Sequence, residues 1–328
     1  MSIYKNVPNN IWTGRIDSET DCSAFRFHQM INTINVMEDV PTATDKIAVA
    51  FIGNESDLGI EINKGRVGAS QAPNAIRKKI ASLPFPWKNG VSISDFGNLS
   101  TGDSSLSEAQ EDLATLVTQA KDNGYFPIVL GGGHDTALGT FKGLYNSLKS
   151  QNKKIGIINF DAHFDNRPYR DSGPSSGTMF RQIYDLSVEE KFEYKYLVLG
   201  VQKHGNTQSL FDYADSTGTE YIFAKEFQDS NNKQAITDQV DKFINSVDYV
   251  YVTFDMDVIS VANAPGVSAQ QPLGLLPSDL MPNLLQIVRS GKMVGMDIVE
   301  VSPPNDINDQ TSALASNLIY YVIDELAK

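Results

Sequence analysis

The chain has 328 residues, 41% of them hydrophobic and 20% charged, a profile that allows a globular core without disulfide or metal staples. Its 40 acidic and 27 basic residues leave a formal net charge of −13, which argues against nucleic acid or an anionic membrane as partner, since both need a basic surface. A single cysteine, Cys22, excludes an internal disulfide; no apolar run reaches a membrane span, and MSIYKNVPNNIW does not read as a secretory leader, so the expected location is cytoplasmic.

Residues 1–45 carry no clear periodicity and are expected to form an irregular extension packed on a single domain spanning 1–328. Beyond them a strand is predicted at Lys46 to Gly53, a helix at Ala72 to Ser82, a strand at Val91 to Phe96 and a helix at Leu106 to Asn123. Strand Phe126 to Leu130, helix Thr136 to Lys149 and strand Lys154 to Phe160 follow, then an irregular stretch from Asn166 to Gly177. Strands at Tyr196 to Val201 and Tyr221 to Ala224 precede a helix at Lys233 to Asn245 and a strand at Asp248 to Phe254. Helix Pro277 to Arg289, strand Lys292 to Val299 and helix Asp309 to Ala327 complete the chain. Short continuous runs rich in Val and Ile are what strands covered on both faces look like. Their alternation with helices implies right-handed crossovers and a mostly parallel sheet in three α/β/α layers. Ligands of such sheets sit at the carboxyl ends of the strands.

Three polar clusters stand at those ends. Gly131-Gly132-Gly133-His134-Asp135 follows one apolar run, Asp161-Ala162-His163-Phe164-Asp165 a second, and Asp255-Met256-Asp257 a third. In extended chain, residues i, i+2 and i+4 share a face, so Asp161, His163 and Asp165 can converge, as can Asp255 and Asp257. Unpaired carboxylates there would be costly, and divalent cations neutralise them. Four carboxylates and two imidazoles without a thiolate suit a pair of Mn²⁺ ions, although affinity alone would favour other metals. Two ions about 3.5–4 Å apart share a water and lower its pKa toward neutrality, making a bridging hydroxide nucleophile. His28 and His204 read as structural histidines, and Gly65-Arg66-Val67-Gly68-Ala69 as a turn and cap that supports the site.

The strings GGGHD, NFDAHFD, FDMD and DIVEVSPP resemble the signature segments of the ureohydrolase family, which includes arginase, agmatinase and formimidoylglutamase. The resemblance implies an α/β/α fold with a parallel sheet of about eight strands, two Mn²⁺ ions per subunit and a homo-oligomer, trimer or hexamer. By the same resemblance His134, Asp161, Asp165 and Asp255 match the ligands of one ion, and Asp161, His163, Asp255 and Asp257 those of the other, with Asp161 and Asp255 bridging. Asp165 also matches a proton shuttle to the leaving amine, and Glu300 the acid that pairs with the substrate amidinium or guanidinium. The segment Ser175-Ser176-Gly177-Thr178, with Ser176 where arginase and agmatinase have a histidine, is similar to formimidoylglutamase, as are Trp12-Thr13-Gly14-Arg15 and Arg26-Phe27-His28-Gln29. The expected substrate is therefore a small amidine, N-formimidoyl-L-glutamate of histidine breakdown. Arg167 is the first candidate for its carboxylates; Arg170, Arg181, Ser175, Ser176, Asn206 and Thr207 are further ones. The rival readings are a ureohydrolase for agmatine or a guanidino acid, and a metal-binding scaffold without catalysis.

Overall fold

The structure is a computed structural model and describes every residue except 1, 9, 88 and 170–172. Its strands are β1 (Ile3–Lys5), β2 (Asn32–Thr33), β3 (Ile47–Glu55), β4 (Val91–Ser100), β5 (Phe126–Leu130), β6 (Ile155–Phe160), β7 (Tyr196–Val201), β8 (Glu220–Phe223), β9 (Tyr249–Asp255) and β10 (Met293–Val299). The helices are α1 (Phe27–Met30), α2 (Leu58–Ile62), α3 (Ala72–Ala81), α4 (Leu106–Asp122), α5 (Thr136–Leu148), α6 (Met179–Glu190), α7 (Gln208–Ser216), α8 (Ala224–Phe227), α9 (Lys233–Asn245), α10 (Pro277–Arg289) and α11 (Gln310–Leu326). No described helix is long and apolar enough to cross a membrane.

One sheet runs β1-β4-β3-β5-β10-β9-β6-β7-β8, with β2 also paired to β4. All eight predicted strands are present and pair in parallel. The sheet is nevertheless ten-stranded, because the N-terminal segment expected to be irregular adds two short strands along the free edge of β4. There β2 pairs in parallel at Ser94 and Asp95, and β1 antiparallel from Asn98 to Ser100. Covering an edge in this way hides backbone groups that would otherwise template further pairing. Trp12 secures the same segment: its indole donates to Asp95 (2.7 Å), the carboxylate that the fully buried Arg77 of α3 grips from Nε and Nη2 (2.7 Å each).

Two apolar clusters lie on opposite faces of the sheet. One packs α3, α9, α10 and α11 against it, the other α4, α5 and α6. Helix α4 starts with a reciprocal cap: Ser105 Oγ accepts from the Glu108 amide, and the Glu108 carboxylate accepts from the Ser105 amide. It then buries Leu106, Ala109, Leu113, Leu116, Val117 and Ala120 at helical spacing. Helix α5 lies so close that a Cβ at Gly143 would come within 2.5 Å of Val117 Cβ.

The order of the central strands positions the site. β5, β10, β9 and β6 are consecutive neighbours, and because they are parallel their carboxyl ends open on the same edge. The registers Ile298↔Leu130, Val299↔Asp255 and Phe160↔Phe254 bring the tips nearly level. The three polar clusters and Glu300 all leave from these four tips.

Candidate metal centre

His134 follows the turn at the end of β5, where Gly131 and Gly132 both adopt φ +77°, a region open to glycine and strained for other residues. The imidazole is fully buried, and its Nδ1 stands 3.1 Å from one oxygen each of Asp161, Asp165 and Asp255. Its Nε2 lies 3.0 Å from Thr253 Oγ1, which fixes the ring with Nδ1 toward the carboxylates. Phe180 of α6 closes the ring edge-on, at 5.5 Å between centroids. Next to this group, His163 Nδ1 sits 3.1 Å from Asp257 and 3.4 Å from Asp161. The two sets, His134 with Asp161, Asp165 and Asp255, and His163 with Asp161 and Asp257, each gather donor atoms closely enough to hold a metal ion. All six expected ligands therefore meet, with Asp161 common to both sets. Asp255 belongs to the first set alone, its other oxygen accepting the Asp257 amide (2.7 Å).

The electrostatics describe a centre with surplus negative charge. Burial would raise Asp161, but the two imidazoles hold its pKa below the usual carboxylate range. Burial and then the neighbouring charges of Asp257 and Asp161 push Asp255 well up, and burial raises Asp257. His134 is lifted well above the usual imidazole value by its three carboxylates, against the effect of burial. The donor set fits divalent cations. His134 Nδ1, buried and without a hydrogen-bond partner among the described residues, faces three carboxylate oxygens at 3.1 Å, donors gathered as they would be around a shared cation.

Glu300 stands just beyond β10 with φ +63°, accepts the His134 amide at 2.9 Å, and is pushed up to about 8 by burial, with Asp257 adding to it. With His163, Asp165, Asp255 and Asp257 it lines a cavity of about 110 Å³ that also includes Arg167 and Ser176. Ser175 lines the adjoining cavity, with Thr207. Arg181 and Asn206 do not reach either wall. Arg181 donates to the Asn166 carbonyl and stacks over Tyr213 at 3.5 Å, while Asn206 accepts from the Phe164 amide and donates to the carbonyls of Ala162 and Gln202. Both side chains are consumed in holding the loops. Arg170 lies outside the described residues. His204 is exposed, and His28 contacts the Arg15 carbonyl at 3.1 Å away from the cavity.

The cavity wall also includes Gly65, from the turn read as a support for the site, and Asn63, Ser268 and Ala269, which the sequence did not single out. They come together because Arg66 donates from its backbone amide to Ser268 Oγ and from Nε to the Ser268 carbonyl. The segment read as a supporting turn is thus one side of the roof, with Gly68 and Ser70 amides capping Asp57. Asn159, which donates to Asp161 (3.0 Å), lay inside the quoted motif without a role.

A mostly parallel α/β/α sheet with this cluster at its carboxyl edge defines an α/β protein built around a site for divalent cations. Residues 47–324 match the profile of the arginase family, and the chain belongs to that family. It is 45% identical over 328 residues to the formimidoylglutamase of Clostridium tetani, covering 99% of this chain and 97% of that protein. It is 44% identical over 326 residues to the formimidoylglutamase of Streptococcus pyogenes serotype M6, covering 99% and 98%. Among solved structures, formimidoylglutamase from Bacillus subtilis superposes with a TM-score of 0.80 at 23% identity, over 95% of this chain and 94% of that one. Trypanosoma cruzi formiminoglutamase solved with Mn²⁺ gives 0.76 at 23%, over 88% and 96%.

Proposed function

We propose that the protein hydrolyses N-formimidoyl-L-glutamate to L-glutamate and formamide, as a step of histidine catabolism. The observation that carries the substrate is the near-full-length identity of 45% with a protein named formimidoylglutamase. The chemistry is supported by Glu300 and Arg167 bordering the same cavity as the carboxylate and imidazole cluster.

In this reading His134, Asp161, Asp165 and Asp255 would hold one Mn²⁺, and Asp161, His163 and Asp257, together with Asp255, would hold another. When bound, the pair supplies Lewis-acid charge and a water acidified enough to act as nucleophile near neutral pH. Glu300 binds the amidinium and orients the amidine carbon toward the cluster. Its backbone bond to His134 fixes it against the first ligand set. Arg167 meets a substrate carboxylate through charge-assisted hydrogen bonds, and Ser176 offers a hydroxyl where arginases have an imidazole. As the C–N bond to glutamate breaks, Asp165 would pass to the departing nitrogen the proton its carboxylate took from the attacking water. The same reading has the enzyme working in the cytoplasm as a homo-trimer or hexamer, which sedimentation velocity tests.

The test of the reaction is a substrate panel with Mn²⁺-loaded protein. Formamide release from N-formimidoyl-L-glutamate should far exceed urea release from arginine, agmatine or guanidinobutyrate; the opposite ranking overturns the assignment.

A further inference from the structure

The metal pocket opens beside a second cavity of about 440 Å³, and the two share Asn63 and Arg167. The inner pocket is acidic, with Asp165, Asp255, Asp257 and Glu300 in its wall. The outer one is its complement: its described lining holds Lys64, Arg167 and the hydroxyls of Ser175, Thr178, Thr207 and Ser209, and no carboxylate. In a chain of net charge −13 such a stretch of described wall favours an anion over a cation. Neither Lys64 nor Arg167 forms an ion pair with a described residue.

Lys64 is also held in place. It has φ +61°, in the left-handed region, where the end of α2 fixes it through Lys64 N to Glu61 O (3.0 Å) and Gly65 N to Ile60 O (2.8 Å). A lysine is less favoured in that conformation than Gly or Asn, and these two bonds hold its backbone beside the cavity it borders. Arg167 is anchored across from it: its amide donates to Gly177 O (2.8 Å), and its side chain lies close over Gly177, at 2.9 Å from where a Cβ would stand.

We propose that the outer cavity reads the side-chain carboxylate of the substrate and that Lys64 is the residue that determines this specificity. The inference rests on the proposed reaction. In N-formimidoyl-L-glutamate the α-carboxylate is attached to the carbon bearing the reacting nitrogen, and the side-chain carboxylate lies two methylenes further out. With the amidinium on Glu300, Arg167, which borders both cavities, meets the nearer carboxylate, and Lys64, which borders only the outer one, meets the farther.

The test uses the full-length, Mn²⁺-loaded protein with Lys64→Asn, which removes the charge while suiting the backbone, and Lys64→Arg, which keeps it. With N-formimidoyl-L-glutamate, Lys64→Asn should raise KM about fivefold, the size of one partly exposed ion pair, and leave kcat within about twofold. With N-formimidoyl-L-glutamine, its neutral isostere, KM should not move, and Lys64→Arg should behave as wild type with both. Equal changes on the two substrates, or none on either, overturn the proposal. Calorimetric titration with L-glutamate and L-glutamine needs no turnover: wild type should prefer glutamate and Lys64→Asn should lose the preference. A wild type that turns over neither substrate sinks the reaction assigned above, and the titration then decides the cavity by itself.

Discussion

Glu300 and Asp165 are ordinary acids in extraordinary backbone. Both sit at positive φ, +63° and +44°, where non-glycine residues are uncommon and cost of order 1–3 kcal/mol. The surrounding turns impose this, since the Glu300 amide donates to Gly132 O while its carboxylate accepts from His134. Replacing Glu300 with Gln keeps the shape and removes the charge proposed above to hold the amidinium. The expected loss in kcat/KM is about tenfold to a hundredfold, the range for one charged hydrogen bond, and steady-state kinetics on the formimidoyl substrate check it. The same substitution has a second consequence in metal-free protein. Burial raises Glu300 from 4.5 to about 8, so the folded chain keeps a proton that the unfolded chain releases. That contribution to stability is fully present at low pH and is lost as pH rises through the window between the two values, by at most about 1.4 kcal/mol per pH unit. In chelator, wild type should therefore lose melting temperature from pH 5 to 8 more steeply than Glu300→Gln. Parallel slopes would show that Glu300 does not titrate in this range.

Buried charge joins elements as well. Arg77 on α3 and Asp95 on β4 are both removed from water, and Trp12 of the N-terminal segment donates to the same carboxylate. Breaking such a pair from one side strands the partner and costs about 3–5 kcal/mol. Arg77→Met should show a loss of that size in the denaturant midpoint, and Arg77→Met with Asp95→Leu should recover part of it. Nothing local in the sequence announces this pair, because its members are 18 residues apart on different elements. Elements followed the same division. The eight parallel strands were legible since strands buried on both faces are unbroken apolar runs, and the ligands because they alternate directly after those runs. β1 and β2, three and two residues long, are too short for any periodicity and exist through pairing with β4. Helices α6 and α7 are poorly marked in the sequence: α6 starts directly beyond the irregular stretch that ends at Gly177, and α7 is short and buries only Leu210, Phe211 and Ala214. Strand tips meeting in register are a consequence of sheet order, whereas the roof formed by Asn63, Gly65, Ser268 and Ala269 depends on Arg66 reaching across about 200 residues of sequence.

At the scale of the whole molecule the sheet order places Asp161, Asp165, Asp255, Asp257 and Glu300 in one cluster at the centre of a chain whose net charge is already −13. Mutual repulsion of those acids opposes folding wherever no cation balances it, so metal binding and folding are coupled. An ion that binds only the folded state stabilises it by about 2.7 kcal/mol per site at a hundred times its dissociation constant. With an unfolding entropy of roughly 2.1 cal/mol/K per residue, a chain of this length should gain on the order of 4 °C per occupied site. Excess Mn²⁺ should thus raise the melting temperature of chelator-treated protein by about 8 °C if both sets fill. Asp161→Ala tests the shared coordination. It removes the acid that His134 and His163 hold ionised, which costs the metal-free fold that pairing, and it removes the carboxylate common to both ligand sets, which abolishes the increment from Mn²⁺. A variant that kept the full metal-induced shift would show that the two sets do not share Asp161, and the cluster would then have to be divided differently between its ions.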